Sequence, residues 1–380
     1  MNIVRLSEEH YDELLQLLNC AFSKKNGKPC DFEKDIPKMW GRDDEHMGKH
    51  LGIFEDGKLV SCIGIYPYTV KIGGSELKFA STGNIATYPD YEGRGYMTAL
   101  INAAMEEICS LGLDAIRLGG QRTRYNRFGF ETAGQRLIFE FTVKSRLLSL
   151  YGDIGVVFKK IAPSDKEDIE YARELYNSCE ISVYRDSESA YQTMTMWSCT
   201  PYIAYIGEER IAYLSAKPNE AFVAEIFAKD TDSLAKALCA WVKRCGVTVS
   251  VPYPAYRTED LLMLSYCCDS IKITSPCMFR VMNFVSLTDA LMKLKASYKK
   301  LPLGELLIDI EGYGKIRLYS DEGGAGCEHT DRECSLTLGP LEATRLLFGP
   351  TSPELVVRDV PEQASAWLPL PLSWNGQDRV

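Results

Sequence analysis

Between Ser81 and Gly129 the chain runs STGNIATYPDYEGRGYMTALINAAMEEICSLGLDAIRLGGQRTRYNRFG: an apolar strand, a glycine turn, an amphipathic helix, a second strand and an aromatic return. Ile85 and Thr87 end the first apolar run, and Pro89 stops ladder pairing. Gly93 and Gly95 flank Arg94 where the backbone turns tightly. Met97, Leu100, Ile101, Ala104, Met105, Ile108 and Leu111 recur at three- and four-residue spacing, and Gly112 supplies a helix C-terminus. The helix therefore starts at the glycine turn. Its unpaired N–H groups face residues 93 to 98, where with the helix dipole they favour a phosphate, and Arg94 offers a cationic partner. A Gly-x-Gly before a helix is also the form of an ordinary strand-to-helix turn, so a second signal is needed.

That signal follows. Asp114 to Leu118 reads as a buried strand, and Tyr125, Asn126, Arg127, Phe128, Gly129 and Phe130 form an aromatic, glycine-broken return. The segment resembles motif A of the GCN5-related N-acetyltransferases, in which an Arg/Gln-x-x-Gly-x-Gly/Ala loop grips the pyrophosphate of acetyl-CoA. It is more similar still to the enhanced-intracellular-survival (Eis-like) acetyltransferases, whose Tyr-x-Arg-Phe-Gly-Tyr/Phe stretch stands here at Tyr125 to Phe130. The resemblance implies acetyl-CoA as co-substrate, with its pyrophosphate at Gly93, Arg94, Gly95, Tyr96, Met97 and Thr98. Two parallel strands splay in this family, which leaves backbone groups of Ile85, Ala86 and Thr87 to bond the pantetheine and polarise the acetyl carbonyl. Gly120 and Gln121 complete the expected cofactor-binding set. Two positions depart from the general pattern: Glu92 stands where Arg or Gln is usual, and Met97 replaces a small residue. Glu92 is expected to face solvent, since the grip is mainly backbone N–H.

The remainder of the chain reads as an α/β (α+β) protein of two or three domains, its 380 residues being 46% hydrophobic and 25% charged. Ile3 to Leu6 form a strand, Ser7 a helix cap, and Tyr11, Leu14, Leu15, Leu18 and Phe22 one helical face. Asp56-Gly57 and Gly73-Gly74 mark hairpin turns within residues 51 to 87. The same order returns after residue 150: Val156 to Phe158, a helix through Ile169, Ala172, Leu175 and Tyr176, a hairpin about Gly207, then Phe222 to Phe227, a helix from Ser233 to Cys245 and Val247 to Val251. This second copy lacks the glycine loop. Asp230 and Asp232 stand at its helix entrance, where they oppose a phosphate, so no CoA is expected there. A helix near Ser286, strands Leu306 to Ile310 and Lys315 to Leu318, and a helix near Leu341 to Leu347 resemble the sterol-carrier-like module that closes Eis-like chains. The expected division is a catalytic GNAT domain over 1–145, a degenerate second GNAT domain over 146–283, and a sterol-carrier-like α+β domain with the C-terminal tail over 284–380.

Acetyl transfer to an amine requires a proton donor for the leaving thiolate and an acceptor for the amine's proton. By its place in the motif Tyr125 is the general acid, its phenol of pKa about 10 matching a thiol of roughly 8.5 to 10; packing on Phe128 and Phe130 is the alternative. A lysine-like amine is neutral in about one molecule in 2,500 at pH 7, a barrier of roughly 4.6 kcal/mol that a base must lower. The histidines, His10, His46, His50 and His329, lie outside the core motif and are expected at the surface. In Eis-like enzymes the chain's own terminal carboxylate serves as base, which by resemblance assigns the role to Val380. The tail Trp367 to Trp374 is too apolar for a free end and too proline-rich for a helix, so it packs either in the site or simply over apolar surface.

Asp31, Glu33, Asp35, Asp43, Asp44 and Glu45 either collect a cationic substrate or form a solvated loop. Net charge −9 without a basic run disfavours nucleic acid; it fits a cationic amine, and it fits solubility alone. Cys327, His329 and Cys334 lack a matching second ligand pair, so no metal is expected, and most of the thirteen scattered cysteines read as small buried hydrophobes. No uncharged run reaches membrane-span length and no leader is evident, so a cytoplasmic protein without a membrane span is expected. The acceptor is expected to be an amine-bearing small molecule or a protein lysine. A homo-oligomer, as in hexameric Eis-like relatives, is implied by resemblance. The rival reading is an acetyl-CoA sensor or lipid-binding carrier with a vestigial transferase domain.

Overall fold

A computed structural model describes residues 2–152 and 154–378. In chain order, the first strands are β1 (Ile3–Arg5), β2 (His50–Glu55), β3 (Lys58–Ile72), β4 (Ser75–Thr87), β5 (Ala115–Leu118), β6 (Glu131–Ala133) and β7 (Arg136–Phe141). They are followed by β8 (Val156–Lys160), β9 (Ile181–Val183), β10 (Thr200–Ile206), β11 (Glu209–Ala216), β12 (Val223–Ala228), β13 (Val249–Pro254), β14 (Ser270–Thr274) and β15 (Cys277–Val281). β16 (Gly304–Ile310), β17 (Gly314–Asp321), β18 (Gly324–His329) and β19 (Leu336–Leu338) form a separate sheet near the C-terminus.

The first sheet has the order β1-β2-β3-β4-β5-β15-β6, with β9 beside the end of β3. Leu100, Ile101, Ala104, Met105 and Ile108 of the helix Tyr96–Ser110 are buried against it, as their spacing requires. β4 and β5 run parallel from Phe79 opposite Ala115 to Thr82 opposite Leu118. There β5 ends, while β4 continues to Thr87 with β3 on one side only. The strands thus part at the position where the glycine turn arrives.

The order strand, helix, hairpin, strand, helix, strand recurs in β8, Lys166–Asn177, β10–β11, β12, Thr231–Cys245 and β13. The ladder between β12 and β13 is a single parallel bridge, from Phe222 just before β12 to Ser250 of β13, so the strands part almost at once. Neither region builds its sheet from one stretch of chain. β15, from the second region, lies antiparallel between β5 and β6, and β7, from the first, lies antiparallel between β13 and β14.

The helix Phe284–Tyr298 packs Leu287, Leu291 and Leu294 on the last sheet. The tail joins the same core through Trp367, Leu370, Leu372 and Trp374, and Trp374 stacks on Phe79 with centroids 6.2 Å apart. Lys295 holds the tail's entry by donating to the carbonyls of Trp367 and Pro369. No helix among the described residues is long and apolar enough to cross a membrane.

Candidate active site

The helix Tyr96–Ser110 begins at Gly95, whose φ of 82° follows Gly93 at 79°, and no side chain caps its first N–H groups. Both glycines occupy the left-handed region that other residues enter only with strain. The corresponding helix Thr231–Cys245 is closed by its own sequence: the Asp230 carboxylate accepts from Ser233 N at 2.7 Å. The two helix starts therefore differ in the property that decides anion binding.

A second local device opens β4. Its register with β3 slips between Cys62 opposite Ala86 and Gly64 opposite Gly83, which accommodates Asn84 in a bulge with φ 51°. Asn84 Nδ2 donates to Tyr66 Oη at 2.7 Å, Tyr66 Oη lies 2.8 Å from His50 Nε2, and His50 Nδ1 faces Met47 O at 3.3 Å. Desolvation pushes the His50 pKa down to about 4, so the ring is neutral and serves this network. Sequence reasoning put His50 at the surface; it is wholly buried, stacked on Trp40. Alternation of polar and apolar residues in β2 is too short to reveal that.

These elements meet at a cavity of about 1560 Å³. One wall is Thr82 to Thr87, Gly93, Gly95 to Thr98 and Gly119 to Gln121; another is the β12–β13 cleft with Ala224, Tyr253 and Tyr256. Ser373 to Gln377 of the tail form a third. Of the predicted cofactor residues, Ile85, Ala86, Thr87, Gly93, Gly95, Tyr96, Met97, Thr98, Gly120 and Gln121 all line this space. Arg94 does not. It pairs with Glu55 at 2.8 Å and lies over the Tyr91 ring, because Glu55 at the end of β2 reaches it across the turn. Arg124, which the sequence does not single out, and Arg127, legible there only as part of the aromatic return, line the cavity instead, together with Lys24, Lys25 and Lys28. Glu92 is exposed, at the cavity edge.

Tyr125 ends the short helix Arg122–Tyr125, is 6% exposed and borders the cavity. Burial raises its pKa, against the lowering influence of Arg124, so the phenol keeps its proton at neutral pH. Its ring lies beneath Gly120, where a Cβ would sit 2.7 Å from Tyr125 Cε2; φ of +139° at that glycine also excludes most side chains.

The acidic residues after the first helix are engaged locally. Asp31 and Asp43 cap short helices, Glu33 accepts from Tyr11, Asp44 accepts from Glu8 N, and Glu45 lies 3.7 Å from Lys49. Asp35 alone of the six borders the cavity, where it accepts from Ser198 Oγ. Val380 lies outside the described residues; Asp378, the last described residue, is buried against Arg185 and Tyr176.

Residues 2–133 match the acetyltransferase (GNAT) domain family. The matched stretch contains the glycine turn, the parting strands and Tyr125. The chain is also similar along its whole length to solved structures. These include Eis1 of Mycobacterium abscessus, at 14% identity and TM-score 0.68 over 99% of this chain and 98% of that one. A conserved protein of unknown function from Enterococcus faecalis V583 gives 17% and 0.67, over 100% and 97%. A GCN5-related N-acetyltransferase of Kribbella flavida gives 18% and 0.64, over 97% and 95%. At these identities the likeness is one of fold. No curated protein gives a significant match.

Proposed function

We propose that the protein is an acetyl-CoA-dependent N-acetyltransferase that passes the acetyl group directly to an amine. The observation that carries this reading is the convergence, on one cavity, of an uncapped helix N-terminus, the unpaired edge of β4 and a buried tyrosine. The residues present fit acetyl-CoA. Backbone N–H groups at Gly95 to Thr98 take the pyrophosphate, with Arg124 and Arg127 as cations beside them, and the open edge from Gly83 to Thr87 takes the pantetheine amides. Bound acetyl-CoA supplies an activated thioester.

Ala86 pairs with Cys62 of β3 and its carbonyl accepts from Ser61 Oγ, so the outward backbone groups of Ile85 and Thr87 on the open edge are the ones that polarise the acetyl carbonyl and hold the tetrahedral oxyanion. Tyr125 returns a proton to the departing thiolate, for which its raised pKa keeps it charged with hydrogen. The terminal carboxylate of Val380 removes the acceptor's proton; support for this is the tail's course, whose residues Ser373 to Gln377 form the cavity wall. Residues 1–145 act as the catalytic domain, 146–283 as a second copy of the fold without a carrier site, and 284–380 as a sterol-carrier-like domain that delivers the tail. The Asp230 cap supports the second assignment.

An amine library screened for release of free CoA thiol, with the full chain and with a chain lacking Arg379 and Val380, tests the reading. Thiol release in the full chain alone is expected. Calorimetric binding of acetyl-CoA without transfer to any amine identifies a sensor and overturns it.

A further inference from the structure

Among the described residues, the cavity wall holds four lysines and four arginines but only three carboxylates, Asp35, Glu92 and Glu225. CoA phosphates account for the cations beside the glycine turn. They do not account for Arg117. Its side chain is on the face of β5 opposite Ile116 and Leu118, away from the helix Tyr96–Ser110, and is 1% exposed. Nη1 donates to Ser81 Oγ at 2.9 Å, Nε has no partner among the described residues, and the Trp374 ring covers the guanidinium at 5.5 Å. No carboxylate among the described residues pairs with it, and Glu225, the buried acid of the same cavity, is taken by Arg185 at 2.9 and 2.8 Å.

Arg136, also on the wall, reaches only Thr274 Oγ1 at 3.2 Å. The indole N–H groups of Trp197 and Trp374, both wall residues, are likewise buried without an acceptor among the described residues. A buried guanidinium without a counter-charge is among the costliest arrangements a fold can keep, and buried donors without acceptors add to that cost. The excess is of donors and positive charge, so the missing ligand group is an anionic acceptor. A polycationic amine is the wrong complement to this wall.

We propose that Arg117 is a carboxylate subsite for the acetyl acceptor, so that the molecule acetylated carries a carboxylate as well as its amine, as an amino acid or an amino-terminated acid does. This rests on the acetyltransferase reading above. Arg117 binds the carboxylate on the tail side of the splayed strands, which leaves the amine to approach the acetyl carbonyl held at β4. Arg136 adds a second positive charge to the same wall.

The test is calorimetric titration of the CoA-loaded full chain with a panel of amino acids, each against its own carboxamide and against spermidine. At least one acid is expected to bind on the order of tenfold or more tighter than its amide, the size of one charge-assisted pairing. That ratio falls toward unity in Arg117→Gln and recovers in part in Arg117→Lys. Equal or tighter binding of the amides or of spermidine by the unaltered protein overturns the proposal, whatever the variants do. So does an acid preference that survives Arg117→Gln. If acids bind only after removal of Arg379 and Val380, the chain's own terminus is the partner of Arg117 and the proposal falls. Acid-selective binding without thiol release from acetyl-CoA leaves the subsite standing and refutes the transferase reading instead.

Discussion

Arg185 donates to Asp378 Oδ1 from Nε at 3.2 Å and from Nη2 at 3.1 Å, which ties the last described residue of the tail to the segment that follows β9. The same guanidinium holds both oxygens of Glu225 on β12, and Tyr176 donates to Asp378. Three buried charges share one cluster, and its removal acts differently from each side. Arg185→Gln takes the hydrogen-bonded cation from two buried carboxylates, leaving the Lys38 ammonium as the nearby charge, and is expected to cost about 3–5 kcal/mol, read as a lowered unfolding midpoint in urea. Asp378→Asn keeps the Arg185–Glu225 pair, so it costs less, but loosens the tail. Carboxypeptidase then trims the C-terminus faster and turnover falls with the KM for acetyl-CoA unchanged. Equal trimming of Asp378→Asn and the unaltered protein rejects the anchoring role.

Tyr125→Phe removes the phenol and keeps the ring under Gly120. If Tyr125 protonates the leaving thiolate, kcat falls by about 10²–10⁴-fold while the calorimetric Kd for acetyl-CoA stays within about twofold. A Kd that rises in step with the loss of turnover assigns the phenol to binding instead.

Gly95→Ala tests the open helix start. No atom stands within 4 Å of a Cβ placed there, so crowding is absent and the φ of +82° is the whole intrinsic effect. Leaving the left-handed region relieves about 1–2 kcal/mol of strain in the free loop, which binding must restore, so acetyl-CoA affinity is expected to fall roughly five- to thirtyfold. Asp230→Ala in the second region is the contrasting change: it costs about 1 kcal/mol of stability as a lost cap and leaves acetyl-CoA affinity as it was.

The elements that make this site were legible where chemistry is local. Gly93, Gly95 and the three- and four-residue repeat from Met97 fix a turn and a helix from their own backbone and burial preferences. The tail's apolar run likewise announced that it packs. The exchange of β7 and β15 between sheets was not legible, because Cys277–Val281 has the same strand character whichever edge it joins, and pairing with Ala115–Leu118 is decided by packing far away in sequence. Arg117 was read only as part of a buried strand; an arginine alternating with Ile116 and Leu118 was the available signal that one face of that strand meets something charged. Arg94 is placed beside a phosphate by its position between the two turn glycines, and Glu55, thirty-nine residues earlier, claims it. Asn84 carried the bulge, visible in sequence only as a turn-former inside an apolar run.

His50 makes stability depend on pH in a defined window. Its folded pKa of about 4 lies below the ordinary 6.5, because burial disfavours the imidazolium. Between those values the unfolded chain binds a proton that the folded chain does not, so stability is full above about pH 6.5 and falls as pH drops toward 4. The gap corresponds to about 3 kcal/mol at most. Carboxylates titrate in the same range, so the difference between the unaltered protein and His50→Gln isolates the effect. Gln at position 50 retains a donor and an acceptor for Met47 and Tyr66 but no titrating group. Urea midpoints are therefore expected to diverge with pH, His50→Gln losing less stability on acidification from about pH 7 to about pH 4.5. Parallel curves mean that His50 titrates alike in the folded and unfolded chain, in which case the Asn84 bulge is held below about pH 6.5 by a charged network rather than a neutral one.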